Sequence, residues 1–308
     1  MSANQRNPNP LTSLFVFVAL LAVLAGAYVL GRNQSGHGPM ALLKEQTAKE
    51  QLVSNMLVDL HASAVAEQKA VMEEKDEASR SYAEESQQAS AAVEMSRQEL
   101  SRLIGLGVHP EEAQLLQEFD AAWTEYRALD REILDLAVEN TNYKAHRMSI
   151  GPARDALNRL EAALDAIVTA AEANAESGEV SKAAFQTVVA AYKILTLQSR
   201  HIAESNDQEM SQIEKEMDDL DQQATTQLDK LSAPNAAASP TDVAQARAAY
   251  DDFQTIHAEI LALSRRNTDV RSLALALSKG RTTTAKCIGA LTALQKSIRR
   301  EKAPTTRW

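Results

Sequence analysis

The chain has 308 residues, of which only ten are glycine and eight are proline, so few residues break helices. Aromatic residues make up 4% and hydrophobic residues 44% of the chain, which indicates a core of small and aliphatic side chains and argues against a β-sandwich or a wide ligand barrel. With 32 basic and 42 acidic residues the net charge is −10, which disfavours sequence-independent binding of nucleic acid. The composition predicts an acidic, all-helical protein.

An uncharged, mostly apolar run, Leu11 to Leu30, follows a short N-terminal tail, residues 1–10. A helix of this length spans about 30 Å, the thickness of the hydrocarbon core of a membrane. We therefore predict one transmembrane signal-anchor at residues 11–31. A cleaved signal peptide is the alternative, because Ala25, Gly26 and Ala27 form a small-residue cleavage pattern. The flanking charges do not decide the orientation of the segment.

The helical body begins after a short polar linker, residues 32–40. Glycine and proline then cluster at three places, which predicts four helices, at about 41–105, 110–175, 180–232 and 241–300. Helices of this length must pack together to bury their apolar faces. A basic tail, residues 301–308, follows; with Arg299 and Arg300, its Lys302 and Arg307 are expected to lie beside the anchor and the lipid surface. The alternative is a frayed, solvated helix end whose basic side chains only complement the helix dipole.

The second and fourth predicted helices share one apolar pattern. A heptad seam that starts at Ala122 and Tyr126 is repeated from Ala249 and Phe253, and residues 132–142 (EILDLAVENTN) align without gaps on residues 259–269 (EILALSRRNTD). Periodicity alone does not produce such identities. We infer that a helical hairpin was duplicated, and two hairpins predict a long antiparallel four-helix bundle or coiled coil.

Two features interrupt both seams at equivalent places. Asn140 and Asn267 occupy seam positions, and a buried Asn in a coiled coil fixes the helix register at a cost in stability, so we interpret both as register-setting residues. Replacing both with Leu is then expected to raise the melting temperature. Further on, the seams take two consecutive steps of three residues, through Ala153 and Gly280, a stammer that predicts local overwinding.

The sequence contains none of the motifs of common catalytic sites, and none of its six histidines has the Glu-x-x-His spacing of a di-metal bundle. We predict that the protein is not an enzyme and has no catalytic residues, cofactor or metal site. His146, His201 and His257 are expected on solvated or boundary faces. Cys287, which has no other cysteine to pair with, is expected to pack as a small apolar residue.

Arg147 and Arg154 lie on or next to the seam of the second helix. A buried cation needs a partner, so pairing with an acidic side chain such as that of Glu161 is the simpler interpretation. Recognition of a small anionic ligand is the alternative, which makes these two arginines weak ligand-binding candidates.

Residues 123–157 and 253–280 resemble the four-helix-bundle sensor domain of methyl-accepting chemotaxis receptors. The resemblance rests on an N-terminal anchor followed by long heptad helices, and on an aromatic pair and an I-L-x-L motif that lead into a small-residue stretch around L-S-x-G. It implies an extracytoplasmic bundle, held by a single span in the inner membrane, that binds a small solute directly or through a binding protein and transmits a helix displacement. No specific ligand residues of the family are matched.

Receptors of that family continue through a second span into a linker domain and a signalling coil, whereas this sequence has no second apolar run before SIRREKAPTTRW. The resemblance therefore covers the sensor domain alone. We expect a non-catalytic sensor that binds a small solute or a protein partner, works as a homodimer or with a membrane signalling partner, and does not bind nucleic acid. The alternative is a structural envelope scaffold without a small ligand.

Overall fold

The computed structural model describes residues 39–105, 109–173, 177–233 and 239–301. Two π-helical turns, Ser149–Ala153 and Ala276–Gly280, and ten α-helices account for nearly all of these residues, which confirms the all-helical prediction. The α-helices are α1 Pro39–Met72, α2 Asp76–Gly105, α3 Pro110–Ala137, α4 Thr141–Met148, α5 Arg154–Ala173, α6 Ser177–Ala203, α7 Asp207–Leu231, α8 Pro240–Arg266, α9 Thr268–Leu275 and α10 Arg281–Glu301. The predicted membrane span, Leu11 to Leu30, lies outside the described residues, and no helix within them is long and apolar enough to cross a membrane.

The first predicted helix is in fact a hairpin of α1 and α2. The chain turns at residues 73–75, where the N–H of Lys75 donates to Glu73 Oε1 at 3.1 Å. Asp76 and Glu77 then occupy the first turn of α2, where the helix dipole favours carboxylates. The mostly polar residues 73–90, which fall within the first predicted helix, therefore contain a chain reversal.

The third predicted helix divides in the same way, into α6 and α7. Asn206 caps α7, because its side-chain oxygen accepts hydrogen bonds from the N–H of Gln208 at 2.8 Å and of Glu209 at 3.2 Å. The unit that the chain repeats is therefore a short hairpin followed by one long, broken helix.

These helices form two four-helix bundles joined end to end, in place of one long bundle. Bundle 1 consists of α1, α2, α3 and α10, and bundle 2 consists of α5, α6, α7 and α8. The two broken helices, α3–α4–α5 and α8–α9–α10, run antiparallel through both bundles, as the Glu125–Lys286 and Arg159–Asp252 ion pairs show, each at 2.9 Å. Cys287 is fully buried in the core of bundle 1, as predicted.

The two broken helices cross between the bundles at equivalent residues. The N–H of Thr141 donates to Thr268 Oγ1 at 3.2 Å, and the N–H of Thr268 donates to Thr141 Oγ1 at 3.1 Å, although the two residues are 127 positions apart. In the same reciprocal way, the N–H of Asn142 donates to Asp269 Oδ2 at 2.7 Å, and the N–H of Asp269 donates to Asn142 Oδ1 at 3.2 Å. The duplicated halves are therefore related by a local pseudo-twofold axis at this crossing.

Asn140 and Asn267 break the two long helices immediately before this crossing. Both are buried and have left-handed backbone conformations, with φ of 49° and 52°, and they are the two non-glycine residues of the described chain with positive φ. Asn tolerates this region better than other residues with a side chain. The apolar seam is therefore not carried by one uninterrupted helix in either half. In the structure, each Asn lies at the point where one helix ends and the next begins.

The π-helical turns lie at the predicted stammers, at equivalent positions of the two halves. A π turn holds more residues than an α turn, so the helix is locally underwound, and the expectation of overwinding is wrong. In the first turn Pro152 lacks a backbone N–H and cannot make the regular helical hydrogen bond, which favours the distortion.

We expect Asn140→Leu to lower the free energy of unfolding by about 1–2 kcal/mol, because a left-handed conformation costs an ordinary side chain that much. Asn140→Gly keeps the conformation and loses only the bond to Asp76, at 3.2 Å, so it should cost less. Urea unfolding of both variants measures the difference. A Leu variant more stable than the parent protein would instead support the register-setting interpretation.

Candidate functional site

A cluster of buried polar side chains interrupts the core of bundle 1. We call it the acid cluster; its members are Ser63, Glu67, Ser86, Ser90, Tyr126 and Asp130. Ser63 Oγ lies at its centre, 2.9 Å from Tyr126 Oη and 3.0 Å from each of the two serine hydroxyls of α2. Ser86 donates to Asp130 Oδ1 at 3.2 Å. Hydroxyl groups from α1, α2 and α3 thus surround two carboxyl groups.

The two carboxyl groups of the cluster contact each other. Glu67 is 6% and Asp130 is 5% exposed, and their carboxyl groups lie within hydrogen-bonding reach of each other. Burial, reinforced by the neighbouring Asp130, raises the pKa of Glu67 to about 8. Burial also raises the pKa of Asp130, against the opposing effect of its hydrogen bonds and of Arg127 and Arg131.

Bundle 2 has an amide and an imidazole at the equivalent positions. His257 is the counterpart of Asp130 in the duplicated sequence, and Gln198 precedes the α6–α7 turn by the same interval as Glu67 precedes the α1–α2 turn. Gln198 Nε2 lies 3.0 Å from His257 Nδ1, and its Oε1 accepts a hydrogen bond from Ser149 at 2.7 Å. His257 is 7% exposed and His201 is fully buried, so the expectation of boundary positions for these two histidines is wrong.

A groove between α2 and α3 lies on the surface directly above the acid cluster. It comprises two adjoining cavities of about 460 and 420 Å³ that share Glu94, Arg127 and Arg131 as lining residues. Trp123 lines one cavity, and Asp130 of the acid cluster lines the other. We call this surface the arginine groove.

Two arginines of the groove keep most of their hydrogen-bonding capacity. Arg97 binds Glu94 at 2.7 Å. Together with the hydrogen bonds that Glu94 accepts from Trp123 and Gln98, this contact lowers the pKa of the Glu94 carboxyl to about 2. Arg127 comes no closer than 3.8 Å to Glu94, and Arg131 forms no ion pair with any residue in the described ranges. Both are exposed and stand one helical turn apart on α3.

The equivalent groove of bundle 2 is closed by its own hydrogen bonds. Gln254, the counterpart of Arg127, donates to Asp221 Oδ1 at 2.6 Å, and Tyr250, the counterpart of Trp123, donates to the same oxygen at 2.7 Å. The two halves therefore share a backbone arrangement but differ in these grooves. The groove of bundle 1 presents exposed guanidinium groups, whereas the side chains at the equivalent positions of bundle 2 are hydrogen-bonded to Asp221.

The two arginines singled out from sequence lie away from this groove. Arg154 is exposed, forms no ion pair within the described part of the chain, and lines a smaller cavity of about 310 Å³ beside the first π turn. Arg147 is exposed on α4 and lines none of these three cavities. Glu161, the expected partner, instead accepts a hydrogen bond from Tyr192 at 3.0 Å.

Comparison with known families identifies one segment of the chain. Residues 105–185 match the family model of a four helix bundle sensory module for signal transduction. The resemblance inferred from the sequence is confirmed over this segment, which runs from the end of α2 through α3, α4 and α5 into α6. It includes Trp123, Arg127 and Arg131 of the arginine groove and the break at Asn140. No curated protein matches the chain.

Within the described residues, no group of His, Cys, Asp and Glu side chains is arranged to hold a metal ion. Several buried polar groups instead satisfy one another: His201 Nε2, for example, lies 2.9 Å from Glu214 Oε1 and its Nδ1 lies 2.8 Å from Ser264 Oγ. What the groove and the acid cluster offer chemically is recognition of charge and exchange of protons.

Bundle 2 is expected to lose stability in acid through His257, because burial lowers the pKa of this imidazole to about 4. A depressed imidazole pKa stabilises the fold fully above the unfolded value of about 6.5, and this contribution is lost as the pH falls from there towards 4, by up to about 3 kcal/mol. Urea unfolding between pH 4 and 7 measures the loss. His257→Gln, which can still accept from Gln198, should lose less stability over this range; an unchanged profile would contradict the assignment.

Proposed function

We propose that the protein is a membrane-anchored sensor in which bundle 1 binds a small organic anion in the arginine groove. The observation that carries the proposal is the pair of exposed guanidinium groups, Arg127 and Arg131, that face the groove and whose nearest ion pair is the 3.8 Å contact of Arg127 with Glu94. The match of residues 105–185 to a sensory module supports a role in signal transduction.

The chemistry of the groove suits a carboxylate-bearing solute. A guanidinium group binds a carboxylate through two parallel hydrogen bonds, and two of them a helical turn apart can hold both ends of a dicarboxylate. The cavity volumes lie in the range of small-molecule sites, and Trp123 adds an apolar wall. Glu94 and Asp120 are occupied by Arg97, so they do not compete strongly for the two free arginines.

The position of the groove suits transmission of a displacement towards the anchor. The start of α1, the start of α3 and the end of α10 meet at one end of bundle 1, where Lys49 binds Glu112 at 2.9 Å and Arg300 lies 3.4 Å from Glu111. A ligand that draws α2 towards α3 would shift these ends relative to each other. The predicted anchor precedes α1. By analogy with the sensory module that residues 105–185 match, we propose that the bundles lie on the extracytoplasmic side, with a homodimer or a membrane partner receiving the shift.

Binding is tested by a thermal-shift screen of short mono-, di- and tricarboxylic acids and amino acids on the full-length protein. A hit is expected to raise the melting temperature, since a ligand that binds only the folded state stabilises it. The double variant Arg127→Gln/Arg131→Gln should weaken its binding by at least about tenfold, because each charged hydrogen bond contributes about 1.5–3 kcal/mol. In a Trp308→Phe background, the fluorescence of Trp123 reports occupancy of the groove directly.

The matched control is Arg154→Gln, which removes an exposed guanidinium from the other cavity and should leave affinity unchanged. Loss of binding in the Arg154 variant alone would move the site to the cavity beside the π turn. Absence of any ligand response across the screen, together with unaltered association of the protein with its membrane, would favour the alternative of a structural envelope scaffold.

We expect the mature protein to retain Leu11 to Leu30 and to fractionate with membranes, because the uncharged run is long enough to span the bilayer. Intact-mass measurement of the purified protein determines whether the segment is present. A mature chain that begins after Ala27 would show a cleaved signal peptide and would remove the anchor from the proposal.

A further inference from the structure

We propose that Glu67 and Asp130 share one proton inside bundle 1, and that release of this proton on going from acidic to mildly alkaline pH loosens this bundle but not bundle 2. The protein would then respond to pH through its own interior. The inference does not depend on whether the arginine groove binds a ligand, and it goes beyond solute recognition.

The geometry favours a shared proton. Glu67 and Asp130 lie in the same cluster of buried polar groups, only 6% and 5% exposed, and Ser86 links Asp130 to the serine hydroxyls at its centre. Two ionised carboxylates are acceptors only, so these neighbouring carboxyl groups can hydrogen-bond to each other only when one of them is protonated. Asp130 meets the floor of the arginine groove, but Glu67 lines neither of its cavities, so two negative charges here would be poorly solvated.

The surroundings decide which partner keeps the proton. From α2, Ser86 donates to Asp130, and from α3 the Arg127 and Arg131 side chains stabilise the charge of Asp130. Glu67 receives no such support from a cation of the described chain, so Asp130 is the ionised partner and Glu67 the protonated one.

The remaining neighbours cannot take over the proton at neutral pH. Tyr126 on α3 has a raised pKa, chiefly through burial, and burial raises the pKa of Cys287 on α10 to about 12, so both stay neutral. Gly280, the last residue of the second π turn, has no side chain to offer a proton acceptor: a Cβ added to it would lie 3.7 Å from Glu67 Oε1. Deprotonation therefore places a second negative charge beside a π turn of one long helix and between α1 and α3.

The duplication supplies an internal comparison. The same two positions of bundle 2 hold Gln198 and His257, an amide and a neutral imidazole that form a hydrogen bond without a shared proton. The backbone of this fold thus accommodates a Gln at the Glu67 position. Bundle 2 lacks the acid pair at these positions, and its buried imidazole makes its stability change with pH in the opposite sense.

The direction of the effect follows from the raised pKa of Glu67. Between the unfolded value of about 4.5 and about 8, the folded protein binds more protons than the unfolded chain, so stability falls as the pH rises through this window. The slope is expected to correspond to a fall in melting temperature of about 2–4 °C per pH unit. Above about pH 8 both states are deprotonated and the contribution levels off.

The test compares thermal unfolding of the full-length protein in detergent from pH 5.5 to 8.5 with that of Glu67→Gln. The Gln variant mimics the protonated acid, so its melting temperature should fall less with pH, and the two profiles should diverge towards pH 8.5. The hydrogen-exchange protection factors of the parent protein, which correct for the intrinsic pH dependence of exchange, should fall in α1 and α3 over the same range and stay unchanged in α5 to α8. Glu132→Gln, which removes an exposed carboxylate of α3, is the matched control and should follow the parent profile.

Asp130→Asn is the second variant, for use if Glu67→Gln does not fold. A direct measurement needs no stability comparison: the infrared spectrum of the folded protein at pH 7 should contain the carbonyl band of a protonated carboxylic acid, which Glu67→Gln removes and Asp130→Asn shifts by changing its hydrogen-bond partner. Parallel pH profiles of the parent and Glu67→Gln proteins, or the absence of that band at pH 7, would overturn the proposal.

Discussion

The fold depends on the reciprocal capping of two helix breaks. A helix that restarts after a left-handed residue has N–H groups in its first turn with no partner of their own, and neither Asn140 nor Asn267 caps the helix that follows it. The side chains of Thr268 and Asp269 accept from the restarted helix of the first half, and those of Thr141 and Asn142 accept from that of the second. Each break is thus capped by side chains of the other, which ties the two antiparallel helices together at this point.

Once this crossing is fixed, the remaining topology follows. The first half of each broken helix packs on its own hairpin, and the second half packs on the hairpin of the other repeat, so neither repeat completes a bundle alone. Both ends of the described chain lie at the same end of bundle 1 as a result, where the Lys49–Glu112 pair is buried at the base. The sensory match, which spans residues 105–185, crosses from one bundle into the other.

Duplication of the backbone has allowed the two interiors to diverge. Bundle 1 buries two carboxyl groups and exposes free arginines above them, whereas the corresponding residues of bundle 2, Gln198, His257 and Gln254, form closed hydrogen bonds. We infer that recognition and proton exchange are concentrated in bundle 1. Bundle 2 then serves to hold the two long helices in register with each other.

The sequence was sufficient to predict an all-helical fold, the duplication, the buried Cys287 and the family resemblance, because these depend on composition, periodicity and literal identity. It was insufficient where one pattern is compatible with two geometries. The repeated seam predicts long packed helices but does not distinguish one long bundle from two bundles joined end to end, and an Asn on a seam can either set register or adopt a left-handed conformation. The capping signature at Asn206 was present and would have located the α6–α7 turn. The acid cluster was not predictable, because Ser86 and Ser90 lie in a run that is polar throughout and resembles a solvated face.

The most direct test of this account is cysteine cross-linking between the two long helices with a short bis-maleimide, in a Cys287→Ala background. The antiparallel crossing predicts rapid intramolecular cross-linking of Glu125→Cys/Lys286→Cys in bundle 1 and of Arg159→Cys/Asp252→Cys in bundle 2, since these residues form ion pairs and their backbones lie within reach of such a linker. It predicts none for Glu125→Cys/Asp252→Cys, which lie at equivalent positions of the repeats but about 50 Å apart along the helices. Intramolecular cross-linking of that last pair, without the first two, would show parallel helices and contradict the account.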